Sequence, residues 1–324
     1  MADPGPHGEA AAVGRGLAAW LRGRDVAATV DVLGRATVGL SQETWFVRIT
    51  TETGDVDAVL RLPTAASGAR AIVTQRTALQ AVAGTGVPAP ALLWFDDGDE
   101  TPFSRPFIVM TRVTGTVPVG WHTVPEPART RLAEQAIDAL AALHRLDPAA
   151  LGEPVTPADD LRRLERRLER VGPAPPIVAG ALAWLARRVP DPPRLPTIVH
   201  GDFRMGNLVV DGDRLTGVLD WEMASPGDPL SDLAWCFIPV WELPGVDEQK
   251  LVRRYAEETG AAVGAERLHW HRALGYVRLA YYALAGTRAF DGGRSDDLRL
   301  AALRLQLPVT LDRLAATLAG DPVA

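Results

Sequence analysis

The segment Val199-His200-Gly201-Asp202-Phe203-Arg204-Met205-Gly206-Asn207, followed by Asp220-Trp221-Glu222, carries residue types that can act on a phosphate. Asp202 follows a short apolar run and a glycine, so its carboxylate stands on a tight turn instead of in a core. Asn207 opens a predicted strand over 208–210, and Asp220 closes the next, over 215–220, with Asp211-Gly212 turning the chain between them. Both positions therefore lie at one end of a hairpin and can converge on one point. An amide oxygen beside a carboxylate suits Mg2+, which takes few protein ligands and completes its shell with phosphate oxygens and water. A separate carboxylate can accept the proton of an attacking hydroxyl. Charge neutralisation, positioning and a proton acceptor are what phosphoryl transfer requires. His200 is placed to orient the Asp202 loop through backbone hydrogen bonds, with a direct catalytic part as the alternative. Glu222 is open between a second metal and solvent.

The elements around these residues are legible from periodicity. Val13, Leu17, Trp20 and Leu21 sit at helical spacing over 9–22. Segments 44–50 and 56–62 alternate as strands joined by a turn at Thr53-Gly54-Asp55, and short strands are predicted at 91–95 and 107–111. A helix is predicted over 70–83, closed by Gly84 and Gly86. Helical stripes follow over 128–145 and at Leu161, Leu164, Leu168 and Val171, and everything beyond Pro229 reads as helix. The Arg- and Glu-rich opposite face of the Leu161 stripe reads as a solvated surface. This predicts an N-terminal nucleotide-binding lobe over 1–112, with residues 1–8 unstructured, and a C-terminal catalytic and substrate-binding lobe over 113–324.

Bulk properties set the limits. The 324 residues are 47% hydrophobic with a formal charge of −6, enough for a large core and unsuited to general nucleic-acid binding. Cys236 is the single cysteine, which excludes an internal disulfide and a thiolate metal cage, and its apolar neighbours mark it as core. No run of about 18 apolar residues predicts a membrane span. The N-terminus carries no basic-then-apolar signal pattern, so a cytoplasmic protein is expected.

The pattern His200-Gly201-Asp202…Asn207…Asp220 resembles the aminoglycoside phosphotransferase and choline kinase superfamily, over nearly the whole chain. The likeness is greatest to the broad bacterial phosphotransferase group related to the kinase-like domain fused to some acyl-CoA dehydrogenases. It implies an α+β, protein-kinase-like two-lobed fold, with a small antiparallel-sheet N-lobe and a larger, mainly helical C-lobe. It also implies a small-molecule kinase using ATP, with GTP possible, and Mg2+. Asp202 would then be the base, Asn207 and Asp220 would bind the metal, and Asp232 would brace the catalytic loop. Ser41, in Gly39-Leu40-Ser41-Gln42, would touch phosphate, and backbone from Met110 through Arg112 to Val113 would hold adenine. Leu143-His144 resembles the end of the helix that precedes the catalytic region. A monomer or homodimer acting on a small hydroxyl substrate is expected.

Two positions depart from that pattern. The family's third-strand lysine is Arg61 here, and its partner glutamate aligns with Gln75. Gln75 lies on the apolar stripe of its helix with Ile72, Leu79 and Val82, where an unpaired amide is costly. Arg61 is the expected donor to it, with phosphate also in reach. Trp235, Arg278 and Tyr282 are candidate acceptor contacts, along with Trp241, Tyr276 and Tyr281. An Arg278 that faced the acceptor would favour a carboxylate or phosphate over a polycation. Two other classes stay open. A degenerate relative would bind nucleotide or metabolite without transfer. A two-metal phosphohydrolase is poorly supplied by six scattered histidines.

Overall fold

The alternation over 44–50 and 56–62 sends every second side chain to one face of a strand. A computed structural model of the chain forms β2 (Gln42–Thr51) and β3 (Gly54–Pro63) there, with Trp45, Val47 and Ile49 buried together. The structure describes residues 5–36, 42–64, 68–98, 101–118, 120, 123–238 and 246–320. β1 (Ala28–Arg35), β4 (Leu92–Asp96) and β5 (Phe107–Thr111) complete a five-stranded antiparallel sheet in the order β1-β2-β3-β5-β4. Helix α1 (Gly5–Arg22) lays Val13, Leu17, Trp20 and Leu21 on the face carrying Trp45, Val47, Ile49 and Phe107. Each such side chain contributes about 1.5–3 kcal/mol through burial. The helix starts at Gly5, inside the stretch whose composition predicts no structure. Helix α2 (Gly68–Val82) buries Ile72, Gln75, Ala78, Leu79 and Val82, as its stripe predicts.

The chain falls into two compact units whose boundary differs from a cut after residue 112. One comprises Met1–Val117 with Asn207–Ala224, and the other Pro118–Gly206 with Ser225–Ala324. The hairpin of β7 (Leu208–Asp211) and β8 (Arg214–Val218) joins the sheet-bearing unit because of its hydrogen bonds. Thr116 and Val210 exchange both backbone bonds at 2.9 Å, Thr216 Oγ1 donates to Thr114 O at 2.7 Å, and Val218 N donates to Pro88 O at 2.7 Å. Gly115 permits this approach. Its φ is 118°, and a Cβ there would stand 2.4 Å from Val210 O.

In the second unit, α3 (Glu126–Leu143), α4 (Pro157–Val171), α5 (Pro176–Ala186), α6 (Leu230–Cys236) and α7 (Glu248–Thr259) accompany the long α8 (Ala265–Asp291). The short α9 (Leu298–Ala302) and then α10 (Leu307–Ala319) follow. α4 opens with a capping box in which Thr156 and Asp159 satisfy each other's backbone. Its Leu161, Leu164 and Leu168 join a core with Val178 and Leu185 of α5, Trp270 and Val277 of α8, and Leu314 of α10. β6 (Thr197–Val199) pairs with β9 (Ser225–Gly227), which fixes the strand that runs into the Asp202 loop. A small antiparallel sheet and a larger helical part make the fold α+β. Among the described residues, no helix is long and apolar enough to cross a membrane.

Candidate active site

At the hairpin's open end, Leu208 faces Val218 and Leu219 N donates to Asn207 O at 2.8 Å. Asn207 therefore stands across from Leu219, one residue from Asp220, as the hairpin reading requires. Asn207 is buried in a 3-10 turn over Met205–Asn207, whereas the Asp220 side chain is 40% exposed. Asp220 takes a left-handed backbone (φ 65°, ψ 53°), which aspartate tolerates better than most residues. The turn is enforced by Trp221, whose indole is fully buried and donates to Val218 O at 2.8 Å. A carboxylate and an amide oxygen are donor types that suit Mg2+. Among the described residues no group of three or more His, Cys, Asp or Glu side chains forms a complete metal cage, so phosphate or water would fill the shell.

Arg61 does not pair with Gln75. Its Nη1 donates to Asp220 Oδ1 at 2.6 Å, and its Nη2 lies 3.7 Å from Glu222 Oε2. A guanidinium prefers a carboxylate, with which it forms a charge-assisted bond, to a neutral amide. Gln75 instead donates to the Met110 sulfur at 3.7 Å and leaves its Oε1 without a partner among the described residues. Glu222 accepts a short hydrogen bond from Gln42 Nε2, which answers whether it faces only solvent. Met110 is buried in β5, against Val59 and Leu92. Arg112 N donates to Asp57 O at 2.9 Å, and its guanidinium lies over Phe46. Val113, half-buried against Gly217, follows it. Ser41 lies outside the described residues.

The second unit holds the Asp202 loop. Asp232, fully buried on α6, accepts from His200 N at 2.6 Å and Gly201 N at 2.9 Å, one bond to each carboxylate oxygen. His144 Nε2 approaches the same carboxylate at 3.4 Å, while its Nδ1 meets the Tyr255 hydroxyl at 2.6 Å. Because an ionised carboxylate only accepts, His144 presents an N–H to Asp232. Burial works against the Asp232 charge, but the hydrogen bonds and charges of His144 and His200 outweigh it and lower its pKa. Burial pushes the Tyr255 phenol far above its usual range. His200 is buried, and its Nδ1 accepts the Asp202 N–H at 3.2 Å. Asp202 Oδ2 accepts from Arg204 Nε at 3.0 Å and Oδ1 from Trp235 Nε1 at 2.9 Å.

Of the candidate acceptor contacts, Trp235 is buried and orients Asp202. Arg278 pairs with Asp160 at 2.7 Å and lies 5.5 Å from the Trp235 ring centroid. Its charge is thus matched within the fold. Tyr282 is half-buried with its ring 5.4 Å from that of Tyr281, and burial raises its pKa. Trp241 lies outside the described residues. Gly227-Asp228-Pro229 also resembles the family's structural turn, but sequence reasoning missed the partners gathered on it: Asp228 Oδ2 accepts from Arg267 Nε at 2.7 Å and from His271 Nε2 at 2.8 Å. It also missed Arg204, whose place two residues after Asp202 was the available signal.

An antiparallel sheet with a helix after its third strand, joined by a hairpin from later in the chain, is the protein-kinase-like fold. The chain belongs to the phosphotransferase enzyme family, whose family model matches residues 33–276. Among curated proteins it is similar to acyl-CoA dehydrogenase family member 11 of Gallus gallus, 28% identical over an alignment of 227 residues that covers 61% of this chain and 29% of that protein. The Homo sapiens protein of that name is 31% identical over 163 residues, 47% of this chain and 20% of its own length. The chain thus spans less than a third of the relatives it matches. Among solved structures it resembles a candidate aminoglycoside phosphotransferase from Ralstonia eutropha (TM-score 0.77, 21% identity, covering 94% of this chain and 98% of that one). A ternary complex of aminoglycoside phosphotransferase APH(4)-Ia with AMP-PNP and hygromycin B gives a TM-score of 0.67 at 18% identity, over 95% and 98% of the two chains. A choline/ethanolamine kinase family protein from Mesorhizobium loti gives 0.62 at 20% identity, over 95% and 94%.

Proposed function

We propose that this chain transfers the γ-phosphoryl group of ATP to a hydroxyl of a small molecule. The observation that carries the reading is the clamp of Asp232 on the His200 and Gly201 amides. It spends a buried, ionised carboxylate on fixing the backbone that presents Asp202. Asp202 would accept the hydroxyl proton as the acceptor oxygen bonds to the γ-phosphorus and the bond to the departing ADP breaks. Arg204 and Trp235, one on each carboxylate oxygen, orient Asp202 for that step. Asn207 and Asp220 would hold Mg2+, which when bound neutralises phosphate charge. Backbone from Met110 to Val113 would receive the base, and Ser41 and Arg61 the phosphates. Family membership and a kinase-fold neighbour that bound AMP-PNP support the nucleotide assignment.

The Arg61–Asp220 ion pair favours a second reading, a nucleotide-binding protein without transfer. Thermal unfolding with ATP or GTP, each with and without Mg2+, tests the site on wild type and Asp220→Ala. Nucleotide at about 100 times its dissociation constant adds roughly 2.7 kcal/mol to the folded state. The expected result is a Mg-dependent shift that Asp220→Ala abolishes. Asp202→Ala should keep the shift and lose turnover by about two to four orders of magnitude. No shift with either nucleotide rejects the reading, and a shift without phosphate transfer to any hydroxyl acceptor selects the second.

A further inference from the structure

Arg61 is the most enclosed charge near the hairpin end. Its side chain is 9% exposed, against 40% for Asp220 and 17% for Glu222. One Asp220 oxygen is already taken at 2.6 Å, and Arg61 Nε is buried without a partner among the described residues. Gln42 engages Glu222, and Gln42 Oε1 and Gln75 Oε1 are likewise buried and unpaired. Arg61 thus has one strong bond, to Asp220, and a donor with none. A polyanion would satisfy both Arg61 donors, whereas a lone divalent cation would have to displace a like charge from the carboxylate it needs.

We propose that Arg61 is the resident counter-ion of Asp220, so that a divalent cation gains this carboxylate only after nucleotide phosphates have drawn the guanidinium away. The inference rests on the nucleotide-and-metal reading above and adds an order of loading to it. Arginine suits this role better than lysine, because its planar fork can hold a carboxylate oxygen and present a second donor to an incoming phosphate. Binding of nucleotide then creates the metal position, and metal alone finds it closed.

The test measures Mn2+ binding by electron paramagnetic resonance on the full chain without nucleotide, for wild type and Arg61→Met. The variant is expected to bind Mn2+ at least about tenfold more tightly, the scale of one charge-assisted hydrogen bond, and Arg61→Met with Asp220→Asn should lose that gain. Equal affinities for wild type and Arg61→Met overturn the proposal and leave the kinase reading standing. Absence of protein-bound Mn2+ in both proteins even with AMP-PNP counts against the kinase reading itself. Should Arg61→Met not fold, nitrogen resonances of 15N-arginine in wild type decide the matter. Metal-free AMP-PNP should move the Arg61 side-chain signal and Mg2+ alone should not. Movement with Mg2+ alone overturns the proposal.

Discussion

Replacing Asp232 by Asn keeps shape and volume while removing the charge at the base of the Asp202 loop. The carboxylate accepts two backbone N–H bonds, from His200 at 2.6 Å and Gly201 at 2.9 Å. An amide has one oxygen, so one of these donors would face an NH2 group. Hydrogen bonds to a charged partner contribute about 1.5–3 kcal/mol each. The variant loses one of them and weakens the other to a neutral bond. Against this, burying an amide costs less than burying a carboxylate, which returns part of the loss. The net expectation for Asp232→Asn is destabilisation by about 2–4 kcal/mol. Urea unfolding followed by tryptophan fluorescence measures it, and hydrogen exchange at the His200 and Gly201 amides localises it. If stability falls by less than about 0.5 kcal/mol and those amides exchange as in wild type, the carboxylate is not what holds the loop. The proposed presentation of Asp202 would then lose its support.

The Asp228 cluster makes stability depend on pH. Burial opposes its charge, but His271 and Arg267 outweigh burial and lower its pKa from the ordinary 3.8 to about 2. A carboxyl depressed on folding contributes stability above its unfolded pKa and loses it as pH falls through the folded one. The contribution is on the order of 2 kcal/mol, so the stability gap between wild type and Asp228→Asn should shrink by about that much from pH 5 to pH 2. Equilibrium unfolding across that range checks this, and a constant gap contradicts it. Gly115→Ala should cost about 2–4 kcal/mol, combining a left-handed backbone with overlap on Val210 O. Gly84→Ala, at φ 72° with open space around its Cβ position, should cost only about 1–2 kcal/mol by the same melting assay.

What was legible in the sequence were the patterns that a single element carries. The alternation of β2 and β3, the stripe of α2 with Gln75 facing inward, and the hairpin end joining Asn207 to Asp220 all follow from periods within one segment. β1 escaped notice because it is an edge strand in which Asp31 and Gly34 interrupt the apolar run, and its side chains only alternate between half-buried and exposed. β9 is three residues long, too short to show a period. α5 is apolar on most of its surface and so lacks a stripe. Partners distant in the chain left no trace. Arg61 and Asp220 are separated by 159 positions and His144 and Tyr255 by 111, and neighbouring residues say nothing about either pair. The expected Arg61–Gln75 pair failed for a chemical reason, since a carboxylate from the hairpin competes for the same guanidinium and wins.

The tripeptide Asp220-Trp221-Glu222 shows how an apolar residue can direct two charged ones. Trp221 is fully buried, is pinned by its indole N–H to Val218 O, and lies in the 3-10 turn over Trp221–Met223 that packs against α2. On one side of that ring the backbone enters the left-handed region. Asp220 adopts it and keeps its side chain 40% exposed beside Arg61. On the other side the chain carries Glu222 inward to Gln42 and toward Arg61. Adjacent carboxylates would otherwise share one environment and repel each other. Here one keeps contact with solvent and the other is absorbed into the fold. The division follows from where the indole sits, which makes Trp221 as necessary to the arrangement as the carboxylates themselves.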